Sequence, residues 1–124
     1  MQKPGKSHYL LIVDDDPAVR EVLATLLVEE GHRCATAADA VAALAMLDGE
    51  PFDLVLSDLK MPGTDGLWLL DQVRRLPVPV PVVILTGHGG SEREEEILRR
   101  GAAGFLLKPP SVPALLGLID RILA

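Results

Sequence analysis

Cysteine is nearly absent. Cys34 is the single example, so the chain can form no internal disulfide and no cysteine zinc cluster. That usage fits a reducing compartment, and a cytoplasmic location is expected. Aromatic residues make up only 3% of the chain, so any core must be aliphatic. Positive charge is also short: 12 Lys and Arg stand against 18 Asp and Glu, for a net charge of −6. An acidic surface argues against direct nucleic-acid binding or an anionic membrane as partner. No apolar run is long enough to span a bilayer. Residues 1–8 are polar and do not read as a signal peptide. His8, His32 and His88 lack the spacing of metal ligands. Aliphatic residues are plentiful instead. Of 124 residues 48% are hydrophobic, which suits one domain with a sizeable core.

The apolar residues are organised in alternating short runs and helical repeats. Residues 1–7 read as a loose lead-in, and residues 8–124 as a single domain. Tyr9–Val13 is a continuous run of strand formers, the mark of a strand buried on both faces. Asp16-Pro17 then reads as a helix N-cap with proline in the first turn. Val19, Leu23, Leu26 and Leu27 repeat at helical spacing up to Gly31. Arg33–Ala37 is a short strand. Asp39 caps a second helix whose expected apolar face is Val41, Leu44 and Leu47. Residues 52–57 form a third strand, ending against Asp58. Asp65-Gly66 opens a third helix with Leu67, Leu70 and Val73 on one face, stopped by Pro77. Residues 80–85 form the fourth strand. Ser91 and Glu94 match a capping box for a fourth, charge-rich helix, closed by Gly101. Residues 104–107 form a fifth strand, and Ser111 caps the last helix. The Glu and Arg run of the fourth helix reads as a solvated face. Leu115, Leu116, Leu118, Ile119, Ile122 and Leu123 exceed one narrow stripe, so the last helix is either well buried or a contact surface.

Five strand–helix alternations without a linker specify a doubly wound α/β sandwich with a five-stranded parallel sheet. Right-handed crossovers favour strand order 2-1-3-4-5, with the switch point between strands 1 and 3. The carboxyl ends of those strands carry Asp14, Asp15 and Asp58. Strand 4 ends near Thr86, and strand 5 at Lys108. Three carboxylates at one sheet edge repel one another unless a cation sits among them or one takes up a proton. An all-oxygen site of this kind suits Mg²⁺ (or Mn²⁺). A metal, a lysine and a hydroxyl are the parts that hold a phosphoryl group. A carboxylate can also act as nucleophile and form an acyl phosphate. Asp58, alone at the end of its strand, is the best candidate.

Four segments make the chain similar to the receiver domains of two-component response regulators. They are Val13-Asp14-Asp15-Asp16, Ser57-Asp58-Leu59-Lys60-Met61-Pro62-Gly63-Thr64-Asp65-Gly66, Leu85-Thr86-Gly87 and Phe105-Leu106-Leu107-Lys108-Pro109. The resemblance covers nearly the whole chain and implies the flavodoxin-like fold of the chemotaxis-regulator type. It implies that Asp58 is the phosphoacceptor. It gives Asp15 a direct contact to Mg²⁺, Asp14 a contact largely through water, and Lys60 a contact through its backbone carbonyl. It makes Thr86 the switch hydroxyl, Phe105 the switch aromatic and Lys108 the lysine that pairs with the acyl phosphate. Pro109 resembles a proline that is often cis. Lys60 and His88 fall at positions that tune phosphoryl lifetime. Gly87, Pro110 and the missing phenol at Phe105 depart from the usual pattern.

The implied partner is a histidine kinase or a histidine phosphotransfer protein, with a possible homodimer through helix 4, strand 5 and helix 5. The chain is expected to be an acceptor with slow self-dephosphorylation, not a turnover enzyme. A small aspartate-nucleophile phosphohydrolase of the haloacid-dehalogenase type is the alternative. It is disfavoured because Ala18 stands where its Asp-x-Asp-x-Thr or Val motif requires another residue. A receiver excised from a hybrid histidine kinase or a transcription factor is a further alternative, as is a degenerate receiver acting only in binding.

Overall fold

The computed structural model describes residues 7–87 and 91–123, apart from the side chains of 91 and 92. The elements run β1 (Tyr9–Val13), α1 (Pro17–Glu29), β2 (Arg33–Ala37), α2 (Ala40–Gly49), β3 (Leu54–Asp58), α3 (Gly66–Arg74), β4 (Val82–Thr86), α4 (Ser91–Arg99), β5 (Gly104–Leu107) and α5 (Val112–Leu123). One sheet holds all five strands in the order β2-β1-β3-β4-β5. Each neighbouring pair is parallel. This is the expected doubly wound architecture.

The helix boundaries have local causes. An Asp16 carboxylate oxygen accepts the Ala18 amide at 2.9 Å, and Asp39 accepts the Ala42 amide at 2.7 Å. Asp65 accepts the Trp68 amide at 3.0 Å, and the Ser111 hydroxyl accepts the Ala114 amide at 3.1 Å. Each cap satisfies one amide that the first helical turn leaves over. After α1 the chain turns back through Gly31, whose φ of +99° favours glycine.

Alternate strand residues bury on opposite faces. Leu11, Val13, Val55, Val82 and Ile84 pack with α2, α3 and α4 residues such as Ala43, Leu47, Val73 and Ile97. Leu10, Ile12, Leu54, Leu56, Val83 and Leu85 pack with Leu23, Leu27, Leu115, Leu118 and Ile119 of α1 and α5. Each such aliphatic side chain, fully buried, contributes about 1.5–3 kcal/mol. The two layers hold the central strands rigid, so their carboxyl ends form a fixed platform. Cys34 packs at the edge of the second layer, and burial pushes its thiol up to about 11.

Three expectations need correction. β3 runs two residues later than the apolar pattern placed its start, because the Phe52 amide bonds the Glu50 carbonyl at 3.0 Å in a turn. Phe52 is buried without being in the strand. β4 also starts two residues later. Pro79 and Pro81 lack amides, and Pro81 contributes only a carbonyl, to Val55 at 2.9 Å. In α2 the buried face is Ala40, Ala43 and Leu47, whereas Val41 is 60% exposed. The last helix buries Leu115, Leu118 and Ile119 and half-buries Leu116, Ile122 and Leu123. No helix among the described residues is long and apolar enough to cross a membrane. The lead-in over residues 1–6, His88 and the Ser91 end of the capping box lie outside what is described.

Candidate functional site

Sheet register decides which groups meet. Val13 of β1 pairs with Ser57 of β3, so Asp14 and Asp58 stand side by side as their strands end. Asp58 pairs with Leu85 of β4, which leaves Thr86 one step further along. Thr86 pairs with Leu107 of β5, and Lys108 follows. All four therefore gather at the carboxyl edge of the sheet, where open α/β folds hold ligands.

The ligand oxygens of Asp14, Asp15 and Asp58 lie within 4.8 Å of one another. Asp14 and Asp58 are buried and Asp15 is exposed. Lys108 reaches over from β5. Its Nζ is 3.1 Å from Asp14 Oδ2 and 3.4 Å from Asp58 Oδ2. Burial pushes the Asp58 carboxyl up. Lys108 draws it back, the Asp14 charge pushes it up again, and the Lys60 backbone amide donates a hydrogen bond that lowers it. The net shift is upward. Burial alone would lower Lys108. The hydrogen bond to Asp14 and the charges of Asp58 and Asp14 outweigh it, and the ammonium is held above its ordinary value.

One ammonium against three converging carboxylates leaves a surplus of negative charge. The donor set is all oxygen, with one exposed side open to water. That set fits a hard divalent cation which retains several waters. Among the described residues no other group of His, Cys, Asp or Glu converges in this way.

The backbone under the site is held from several sides. The Asp14 carboxylate accepts the Asp16 amide at 2.9 Å, which ties the β1–α1 turn to the buried aspartate. The Arg20 guanidinium donates to the Asp14 carbonyl at 2.7 Å. The Ser57 hydroxyl donates to the Asp58 carbonyl at 3.0 Å. Gly66 lies so close that a Cβ there would stand 2.5 Å from the Asp58 carbonyl oxygen. The Leu59 amide bonds the Leu85 carbonyl at 2.8 Å, continuing the ladder past Asp58. Thr86 is 2% exposed, and its carbonyl accepts the Lys108 amide at 2.8 Å. Phe105 is half-buried against the α2–α4 layer. The Lys108–Pro109 peptide is cis.

The family model described as "Response regulator receiver domain" matches residues 10–120. This chain is a member of the response regulator receiver family. Response regulator protein FleR of Pseudomonas aeruginosa is 43% identical over 112 residues, covering 90% of this chain and 24% of FleR. Sensor histidine kinase RcsC of Salmonella typhi is 40% identical over 106 residues, covering 86% of this chain and 11% of RcsC. The structure of chemotaxis response regulator CheY4 of Vibrio cholerae superposes with a TM-score of 0.86 at 31% identity, covering 95% of this chain and 100% of CheY4. The chain thus spans about a quarter of the length of FleR. It is a receiver domain of the kind that accepts phosphoryl groups in two-component signalling.

The structure brings five of the expected receiver residues to one edge: Asp14, Asp15, Asp58, Thr86 and Lys108. The Lys60 side chain is exposed and points to no partner among the described residues. Its backbone joins the site through the amide bonded to Asp58. Two contributors were missed from sequence. Arg20 lies four residues after the Asp16 cap, a spacing that could have marked it as folding back over the turn. Gly66 follows the cap Asp65, where the absence of a side chain at a helix start was the available signal.

Proposed function

We propose that Asp58 accepts a phosphoryl group from the phosphohistidine of a histidine kinase or a histidine phosphotransfer protein. The observation that carries this reading is the convergence of the Asp58 carboxylate with Asp14, Asp15 and Lys108 at the sheet edge. In the reaction an Asp58 carboxylate oxygen attacks phosphorus. An O–P bond forms as the N–P bond to the imidazole breaks, and the imidazole leaves with the N–P electron pair and is protonated. Lys108 offsets charge on the transferred oxygens. In this reading the Thr86 hydroxyl donates to one of them.

Mg²⁺ (or Mn²⁺) fits among Asp15, Asp14, Asp58 and the Lys60 carbonyl. When bound it would neutralise phosphoryl charge and orient the oxygens for in-line displacement. The Lys60 carbonyl is offered as a ligand on the family resemblance. Residues 8–124 form the receiver unit in this reading. The chain works as a stoichiometric acceptor that loses its phosphoryl group slowly to water, rather than as a turnover enzyme.

Phosphorylation then biases a face made of α4, β5 and α5, with Thr86 and Phe105 as the moving parts. On that face Leu98 is 48% exposed and Leu107 is 51% exposed, which supports contact with a partner or a second copy there. Similarity to FleR, to the kinase RcsC and to CheY4, which the chain covers over its full length, supports three kinds of setting for such a receiver: a larger regulator, a hybrid kinase or a stand-alone regulator.

The test is incubation with acetyl phosphate and Mg²⁺, followed by mapping of the added phosphoryl group by mass spectrometry. One group on Asp58, absent after Asp58→Asn, is expected. A group on another residue, or one that survives the substitution, would sink the assignment. Continuous release of phosphate from many small esters would turn the reading toward a phosphohydrolase.

A further inference from the structure

Helix α2 has no charged residue before Asp48 and is apolar on every side. A helix of that kind is ordinarily covered all round. Ala40, Ala43 and Leu47 are covered by the sheet layer. Val41 and Ala45 face outward, beside half-buried Leu44, whose other side packs against the core. These residues border Leu76 of the α3–β4 turn across an open groove of about 510 Å³. Asp48 stands on the α2 rim of the groove and Arg75 on the α3 rim. Both are exposed. Among the described residues neither has an ion-pair partner, whereas nearby Arg100 pairs with both Asp71 and Glu96.

The geometry points to a second copy of this chain as the occupant, packed α2–α3 face to α2–α3 face about a two-fold axis through the groove. The two rims carry opposite charges that do not meet within one copy. A two-fold axis lying in this face, along the groove, carries each α2 rim over the other copy's α3 rim and so brings each Asp48 to the other copy's Arg75; one rotation satisfies both charges twice. The same rotation lays each outward Val41 over the other copy's apolar groove. Self-complementarity of this kind is what an isologous contact requires. A partner of uniform charge would leave one rim facing a like charge. The surface lies apart from α4, β5 and α5, and the inference does not depend on the phosphoacceptor reading.

The test is sedimentation velocity on the unphosphorylated chain over a concentration series reaching about 1 mM. A concentration-dependent dimer is expected. Val41→Glu should weaken it about tenfold or more. Asp48→Arg and Arg75→Glu should each weaken self-association, and an equimolar mixture of the two variants should restore it, because each reversed charge then meets its opposite. All three positions are exposed, and circular dichroism verifies that the variants keep the fold. A chain that stays monomeric throughout overturns the inference. So does a dimer that survives Val41→Glu but is lost in Leu107→Asp, which would put the contact on β5. Failure of the mixture to associate also overturns it.

Discussion

Lys108 stands 3.4 Å from Asp58, although β5 and β3 are separated by β4 in the sheet. The lysine crosses that gap over the end of β4 and touches Asp14 as well. Lys108→Ala should therefore leave the carboxylates without their fixed counter-charge. Phosphoryl transfer from acetyl phosphate should fall roughly 10²- to 10³-fold, the usual cost of removing one donor from a site of developing negative charge. Stopped-flow measurement of the phosphorylation rate checks this. A rate within a factor of about two of the parent would mean that Lys108 serves structure alone.

Asp58 makes stability depend on pH in an unusual direction. Its folded carboxyl is held above the ordinary value of 3.8, chiefly by burial. The folded protein therefore binds more protons at this position than the unfolded chain. Stability contributed here is greatest in acid and is lost as pH rises from about 3.8 through the folded value. In metal-free buffer, Asp58→Asn should raise the urea midpoint at neutral pH. The advantage should shrink on acidification. An advantage that grew in acid would contradict the stated direction.

The neighbouring carboxylates Asp15 and Asp16 should not be equivalent towards Mg²⁺. Binding to the native state alone stabilises by about 2.7 kcal/mol at a concentration one hundred times the dissociation constant. Asp15→Asn should abolish most of that gain in a thermal melt with and without Mg²⁺. Asp16→Asn should preserve it, because Asp16 is occupied in capping α1 through the Ala18 amide and asparagine caps equally well. Equal losses in the two variants would mean that the roles of these neighbouring aspartates are wrongly assigned.

Gly66 is expected to tolerate no side chain. A Cβ there would stand 2.5 Å from the Asp58 carbonyl oxygen and 3.1 Å from the Leu59 Cα, both backbone atoms. Relief requires moving the very segment that presents the acceptor. Gly66→Ala should cost about 1–3 kcal/mol by overpacking. It should also slow phosphorylation in whatever fraction remains folded. Urea unfolding and the acetyl phosphate assay on the same preparation measure both effects.

Much of this was legible before any coordinates. β2 and β5 fall on the expected residues because Gly31 and the Asp39 cap close in on β2, and Gly101 and Pro109 on β5. The caps at Asp16, Asp39 and Ser111 were readable because a short polar side chain before an apolar repeat has one economical use. The site was readable because parallel strands must present their carboxyl ends together. Helix α2 was misread for a physical reason. Its sequence is apolar on all sides, so periodicity carries no direction, and only the sheet decides that Ala43 rather than Val41 points inward. The strand starts at β3 and β4 were misplaced because Phe52 is apolar but lies in a turn, and Val80 is apolar but stands between two prolines that lack amides. Arg20 escaped notice because a long side chain can fold back over a turn, and nothing in its neighbours states that it will.

The 2.8 Å bond from the Lys108 amide to the Thr86 carbonyl joins two groups that otherwise look like separate contributions. The hydroxyl and the ammonium hang from backbones that are stapled at their bases. Whatever displaces the end of β4 must tug the lysine's anchor in the same stroke. If Asp58 takes up a phosphoryl group as proposed, a load on either side chain would reach β5 through this backbone bond as well as through any movement of Thr86 and Phe105. The bond extends the β4–β5 pairing one step past Leu107, so the two side chains rest on one continuous edge rather than on two independent loops.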